Sequence, residues 1–147
     1  MATLIFDRAE KNAQRGVYGA DDMASDNFLN LFANETNTVT LAPGEVLFQK
    51  GDAGHQMYVV KSGEMQIVDG NHVFETIAPG GIFGEMALIS KDPRSATAKA
   101  TSHAVVIPVD EKRFLYMVQQ TPMFALRVMD VMSSRLRAMN TRLASIS

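Results

Sequence analysis

Between Val39 and Val109 the chain is interrupted every several residues by turn signals, and the apolar runs between them are too short for helices. Val46-Leu47-Phe48 leads into Lys50-Gly51-Asp52 and Gly54, and Met57-Tyr58-Val59-Val60 leads into Lys61-Ser62-Gly63. Met65 to Val68 ends at Asp69-Gly70, a tight-hairpin signal, because such turns need the positive φ that glycine tolerates. His72 to Ile77 runs on to Pro79-Gly80-Gly81, and Ala96 to Ala100 and Ala104 to Val109 complete the set. Many short strands joined by glycine-rich turns predict an antiparallel jelly roll or barrel.

Helical signals flank this region. Residues 1–25 show little periodicity and read as a loosely structured or helical leader, and residues 26–147 as one domain. Asp26-Asn27 is placed to cap a short helix, Phe28 to Phe32. Asp110-Glu111 opens a helix carrying Phe114, Leu115 and Val118, which stops before Thr121-Pro122. Pro122 suits the first turn of a final helix reaching Ile146. Along that helix Met129, Met132, Leu136, Met139, Leu143 and Ile146 recur in alternating steps of three and four, close to a coiled-coil seam. A seam this short and rich in Met specifies a partner poorly, so the expectation is a monomer or weak homodimer through the C-terminal helix.

Composition excludes several classes. With 46% hydrophobic and 20% charged residues the chain has the make-up of an ordinary globular domain. The net charge of −2 gives no overall pull toward nucleic acid or anionic membrane. Four arginines against one aspartate in the last 25 residues scatter around the helix and read as a solvated face. There is no membrane-spanning apolar run and no secretory signal, and cysteine is absent, so a cytoplasmic setting is expected. His55, His72 and His103 lie in separate turns and form no metal-binding spacing. No nucleophile–base pair or NTP-binding glycine loop accompanies them, so no enzyme activity, catalytic residue or cofactor is expected.

Phe83 to Ala100, FGEMALISKDPRSATAKA, carries the chemistry. It sets a carboxylate, Glu85, and a guanidinium, Arg94, among Gly and Ala too small to obstruct a ligand. A guanidinium fork can hold a phosphate through two parallel charge-assisted hydrogen bonds, and an ionised carboxylate can accept a hydroxyl proton. Taken singly, Arg94 could equally form a salt bridge to Glu85, and Glu85 could simply favour a helix N-terminus.

The ordered pattern narrows this. Phe83-Gly84-Glu85-Met86-Ala87-Leu88 followed by Pro93-Arg94-Ser95-Ala96-Thr97 closely resembles the phosphate-binding cassette of the cyclic nucleotide-binding domain family. The resemblance extends over roughly Phe28 to Ile146 and implies a β-roll of about eight strands over residues 39–109, followed by two C-terminal helices over residues 110–146. It implies that Arg94 holds the cyclic phosphate and Glu85 accepts the ribose 2′-hydroxyl. Gly84 would then allow close backbone approach, with Met86, Ala87 and Ala96 around the ligand. Ser95 stands where the family discriminates bases, and its hydroxyl can serve either purine or the phosphate. Ile67, Phe74 and Phe83 are candidates for an apolar wall, with ordinary core as the competing reading. Arg135, Met139 and Asn140 fall where the family's lid covers the purine, with Arg135 as a partner for Glu85.

The resulting expectation is a stand-alone sensor that binds cAMP, moves its last helix and signals to a protein partner. The alternatives are a cGMP-preferring binder, or an interaction domain that kept the fold and lost the ligand.

Overall fold

Strand β3 (Gln56–Ser62) explains why the apolar runs are continuous rather than alternating. Met57 and Val59 project from one face into a cluster with helices, whereas Tyr58 and Val60 project from the other into the roll. Both faces are therefore buried, and such a strand has no polar side to show. β8 (Ala104–Asp110) behaves likewise, with Ile107 and Val109 toward the helices and Ala104 and Val106 toward the interior.

The computed structural model describes residues 27–146. The leader expected over residues 1–25, and Asp26 as a cap, lie outside them. A short helix α1 (Asn27–Leu31) precedes β1 (Val39–Leu41) and β2 (Val46–Phe48). After β3 come β4 (Met65–Asp69), β5 (His72–Ile77), β6 (Ile82–Phe83), helix α2 (Met86–Ile89) and β7 (Thr97–Ala100). After β8 come α3 (Glu111–Gln120) and α4 (Met123–Ile146). The strands form two four-stranded sheets, ordered β1-β8-β3-β6 and β2-β7-β4-β5, with antiparallel pairing throughout. This is the expected roll of eight strands with helices following it.

The hairpin expected at Asp69-Gly70 is present. Asp69 pairs with His72 across a two-residue turn, where Gly70 takes φ of 60°. Strand β6 is a finding that the turn signals did not predict. Its two residues sit between Pro79-Gly80-Gly81 and the cassette, too short to show a period. It places Phe83 in the interior beside Tyr58, with ring centroids 5.3 Å apart and nearly parallel.

The helices cover the outer face of the first sheet. Asp110 caps α3 by accepting the Arg113 amide at 2.8 Å. The helix closes at Thr121, and α4 starts at Met123, so Pro122, expected in its first turn, directly precedes it. Phe124, 1% exposed, meets Phe32 edge-on at 6.2 Å and Phe114 at 5.3 Å, so one ring joins α3 and α4 to the turn that follows α1. Phe124→Ala is expected to destabilise the fold by about 3–5 kcal/mol, read from the urea midpoint, because the cavity falls where these elements meet. A loss below about 1 kcal/mol would show that the helices pack without it.

Candidate ligand-binding site

The cassette folds as a turn of helix between two strands. Gly84, at φ of 79°, turns the chain out of β6, and α2 begins at Met86. Glu85 accepts the amides of Leu88 and Ile89 through its carbonyl, at 3.1 and 3.2 Å. The chain then returns to β7 through Arg94. The Arg94 amide donates to the Asp52 carbonyl and its own carbonyl accepts from the Gly51 amide, both at 2.8 Å. The Lys50-Gly51-Asp52 turn, which follows the neighbouring strand β2, thus fixes the arginine backbone.

The Arg94 side chain is 7% exposed. One terminal nitrogen donates to the Gly84 carbonyl at 3.1 Å and the other to the Gln56 carbonyl at 2.8 Å. Its Cζ lies 4.0 Å from the centre of the Phe48 ring, a stacked cation–π arrangement. A Cβ on Gly54 would overlap the guanidinium, so only glycine leaves this position open beside it. Among the described residues no carboxylate pairs with Arg94, and its Nε has no hydrogen-bond partner. Burial pulls the guanidinium below its ordinary pKa, and Tyr58, Asp52 and Glu85 offset this only in part. Burial likewise raises the Tyr58 phenol, with Arg94 acting the other way. The salt bridge between Arg94 and Glu85, the bland reading of the sequence, is not formed.

Glu85, 4% exposed, is paired from the last helix instead. Arg135 on α4 donates to Glu85 Oε1 and to the Ile82 carbonyl. It also donates from Nε and a terminal nitrogen to the two oxygens of Glu75 on β5, at 2.8 and 3.2 Å. Burial works against the Arg135 charge, but the two carboxylates outweigh it and hold the guanidinium above its ordinary pKa.

The remaining predicted residues divide. Ala87 and Ala96 are buried beside Glu85 and Arg94, whereas Met86 at 47% and Ser95 are exposed. Ile67 packs on the interior cluster, where Phe83 is also found. Of the wall expected from Ile67 with Phe74, Ile67 thus lies at the interior cluster and Phe74 at a break in the strand ladder. Ile67 stands opposite Glu75 and Val68 opposite Val73, so Phe74 is the extra residue at a shift in the ladder and has no opposed partner. Phe74 is 41% exposed, with the Arg142 guanidinium 5.6 Å from its ring. Met139 and Asn140 are exposed, one turn beyond Arg135. Met129, Leu136, Met139 and Leu143 of the apolar stripe are also exposed, so those four do not fold back onto the roll. Phe48, Gly54, Gln56 and Glu75 are additions that the sequence did not single out.

A model described as the cyclic nucleotide-binding domain matches residues 38–121, more than half of the chain. The chain belongs to the cyclic nucleotide-binding domain family. It is 34% identical over 80 residues to a cGMP-dependent protein kinase of Toxoplasma gondii, covering 54% of this chain and 8% of the kinase. It is 36% identical over 77 residues to a cAMP-dependent protein kinase regulatory subunit of Hypocrea atroviridis, covering 52% of this chain and 17% of the subunit. In three dimensions it resembles the catabolite activator protein of Thermus thermophilus, with a TM-score of 0.68 and 25% identity over 82% of this chain and 57% of that one. The chain therefore corresponds to a small part of each curated relative. Cyclic nucleotide-binding domains of this family are generally regulatory and non-catalytic. No helix among the described residues is long and apolar enough to cross a membrane.

The Arg135–Glu85 pairing has an energetic consequence, because the Glu85 side chain is 5% exposed and the Arg135 side chain 26%. Removing only the cation strands a desolvated carboxylate, while removing both charges does not. Arg135→Met is expected to destabilise the fold by about 2 kcal/mol, with most of the loss recovered in Arg135→Met/Glu85→Gln. Thermal or urea unfolding of the three proteins checks this, and a double variant no more stable than the single one would contradict it.

Proposed function

We propose that this domain is a non-catalytic sensor that binds a cyclic nucleotide, with cAMP the preferred ligand and Arg94 and Glu85 as its anchors. The observation that carries the reading is the Arg94 guanidinium: buried, oriented by two carbonyls, and without a carboxylate partner among the described residues. A buried donor without a partner is costly unless something supplies the acceptor, and a phosphate supplies oxygens with the charge to match. Ala96 and the glycine backbone at Gly84 leave room beside it. Glu85 is held by Arg135 through one oxygen, so the other can accept the ribose 2′-hydroxyl.

The base would lie between Ile67 on the roll and α4, with Ser95 exposed beside the phosphate anchor. The Ser95 hydroxyl can serve either purine, so cGMP is the second reading. The relatives named above include one kinase dependent on each nucleotide. Arg135 ties α4 to the anchor residues, so ligand binding would be read as a shift of α4 toward a protein partner. Such a shift can be only as large as the ligand's differential affinity for the two positions. The exposed stripe on α4 supports weak homodimerisation, and the cysteine-free composition a cytoplasmic setting.

The test uses protein stripped of nucleotide by unfolding and refolding. A ligand at a hundred times its dissociation constant stabilises the folded state by about 2.7 kcal/mol, enough to raise the Tm by several degrees. The wild type is expected to show this shift with cAMP and a smaller one with cGMP. Glu85→Ala should show much less, and Arg94→Ala none. Arg94→Lys keeps the charge without the fork and should recover only part. An unchanged cAMP shift in Arg94→Ala would remove this site, and no shift in the wild type at millimolar cAMP or cGMP would favour an interaction domain without ligand.

A further inference from the structure

Arg135 holds two carboxylates, and only one of them belongs to the cassette. The pairing with Glu75 is two-pronged, engaging both oxygens, whereas Glu85 is reached through Oε1 alone. Glu75 stands opposite Ile67 in the β4–β5 ladder, on the face of the edge strand turned toward the site. Its side chain is 37% exposed, against 5% for Glu85, so the double pairing lies at the rim and the single one inside. Two turns further along α4, the Arg142 guanidinium lies over Phe74, the neighbour of Glu75. The same strand therefore meets the helix at two successive levels.

We infer that Glu75 is a positioning residue for the nucleotide: it fixes Arg135, and Arg135 presents Glu85 to the ribose hydroxyl. The inference rests on the cyclic nucleotide reading above. A long arginine side chain has rotamer entropy to lose, and a planar fork on a carboxylate fixes its plane at the least cost per hydrogen bond. With the plane set by Glu75, one nitrogen is aimed at Glu85 Oε1 and another at the Ile82 carbonyl. Glu85 is then held by one oxygen with Oε2 left to accept. Without Glu75, the bonds to Glu85 Oε1 and the Ile82 carbonyl remain but no longer fix the guanidinium plane as the two-pronged pairing does, and the Glu85 carboxylate is held less firmly. Glu75 would thus act on one ligand atom from a position that does not touch the ligand.

The experiment titrates the full chain, stripped of nucleotide, with cAMP and with 2′-deoxy-cAMP. The proteins compared are wild type, Glu75→Ala, Arg135→Ala and the double variant. Glu75→Ala is expected to weaken cAMP binding about five- to tenfold and 2′-deoxy-cAMP binding little, since the latter lacks the hydroxyl that Glu85 accepts. The Glu75 effect should vanish in the Arg135→Ala background. Equal losses for both ligands, no loss for cAMP, or a full loss in the Arg135→Ala background would overturn the inference. Hydrogen exchange on nucleotide-free protein gives an independent arm. Glu75→Ala should speed exchange in α4 around Arg135 while β3 and β8 keep theirs, and unchanged α4 exchange would also overturn it. If the wild type binds neither cAMP nor cGMP, the nucleotide role falls together with the function above, and exchange still decides whether Glu75 anchors the helix.

Discussion

A buried guanidinium without a carboxylate is the constraint around which this domain is arranged. Arg94 comes from the return of the cassette, but everything that holds it comes from elsewhere in the chain. The Gly51-Asp52 turn fixes its backbone, the Gln56 and Gly84 carbonyls orient its fork, the Phe48 ring covers its face, and Gly54 leaves the space. Neutral dipoles and an aromatic face can position a cation without cancelling its charge. A carboxylate in the same place would have satisfied the protein and left nothing for an anion.

The second anchor is built on the opposite principle. Glu85 is compensated by a full charge, and that charge arrives on the helix that follows the roll. The helix therefore contributes to the site through Arg135, while four apolar residues of its stripe stay exposed. The helix is anchored at its start by Phe124 and Val128, while from Arg135 onward it is held by a few charge-assisted bonds. A segment held that way is of the kind that can change position when one bond is exchanged. In the proposed function, the ribose hydroxyl joins this network and the helix position reports it.

The roll was legible because its turns are explicit. Asp69-Gly70 and Pro79-Gly80-Gly81 mark strand ends whatever packs on the strands, and Asp110 and Pro122 mark the helix starts. Strand β6 was not legible, since two residues carry no period. Glu85 and Arg94 stand out through their spacing, but their supports do not. Gln56 contributes its carbonyl, which any residue could provide, and Glu75 looks like the polar member of an alternating strand. Phe74 illustrates the limit. Its expected companion is Ile67, but the ladder puts Glu75 opposite Ile67 and leaves Phe74 as the extra residue at the register shift. Register depends on where the β4–β5 pairing shifts, between Ile67 and Val68, and that shift has no counterpart in the hydrophobic pattern.

The central claim is that the unpaired charge of Arg94 is kept for a cyclic phosphate. Isothermal titration of nucleotide-stripped protein with cAMP, cGMP and 5′-AMP in parallel tests it most directly. The account expects saturable binding of cAMP at one site per chain, weaker binding of cGMP, and a large loss for 5′-AMP, whose open phosphate does not bridge back to the ribose. Equal affinity for 5′-AMP and cAMP would reduce Arg94 to a general anion site, and no heat with any of the three would contradict the account.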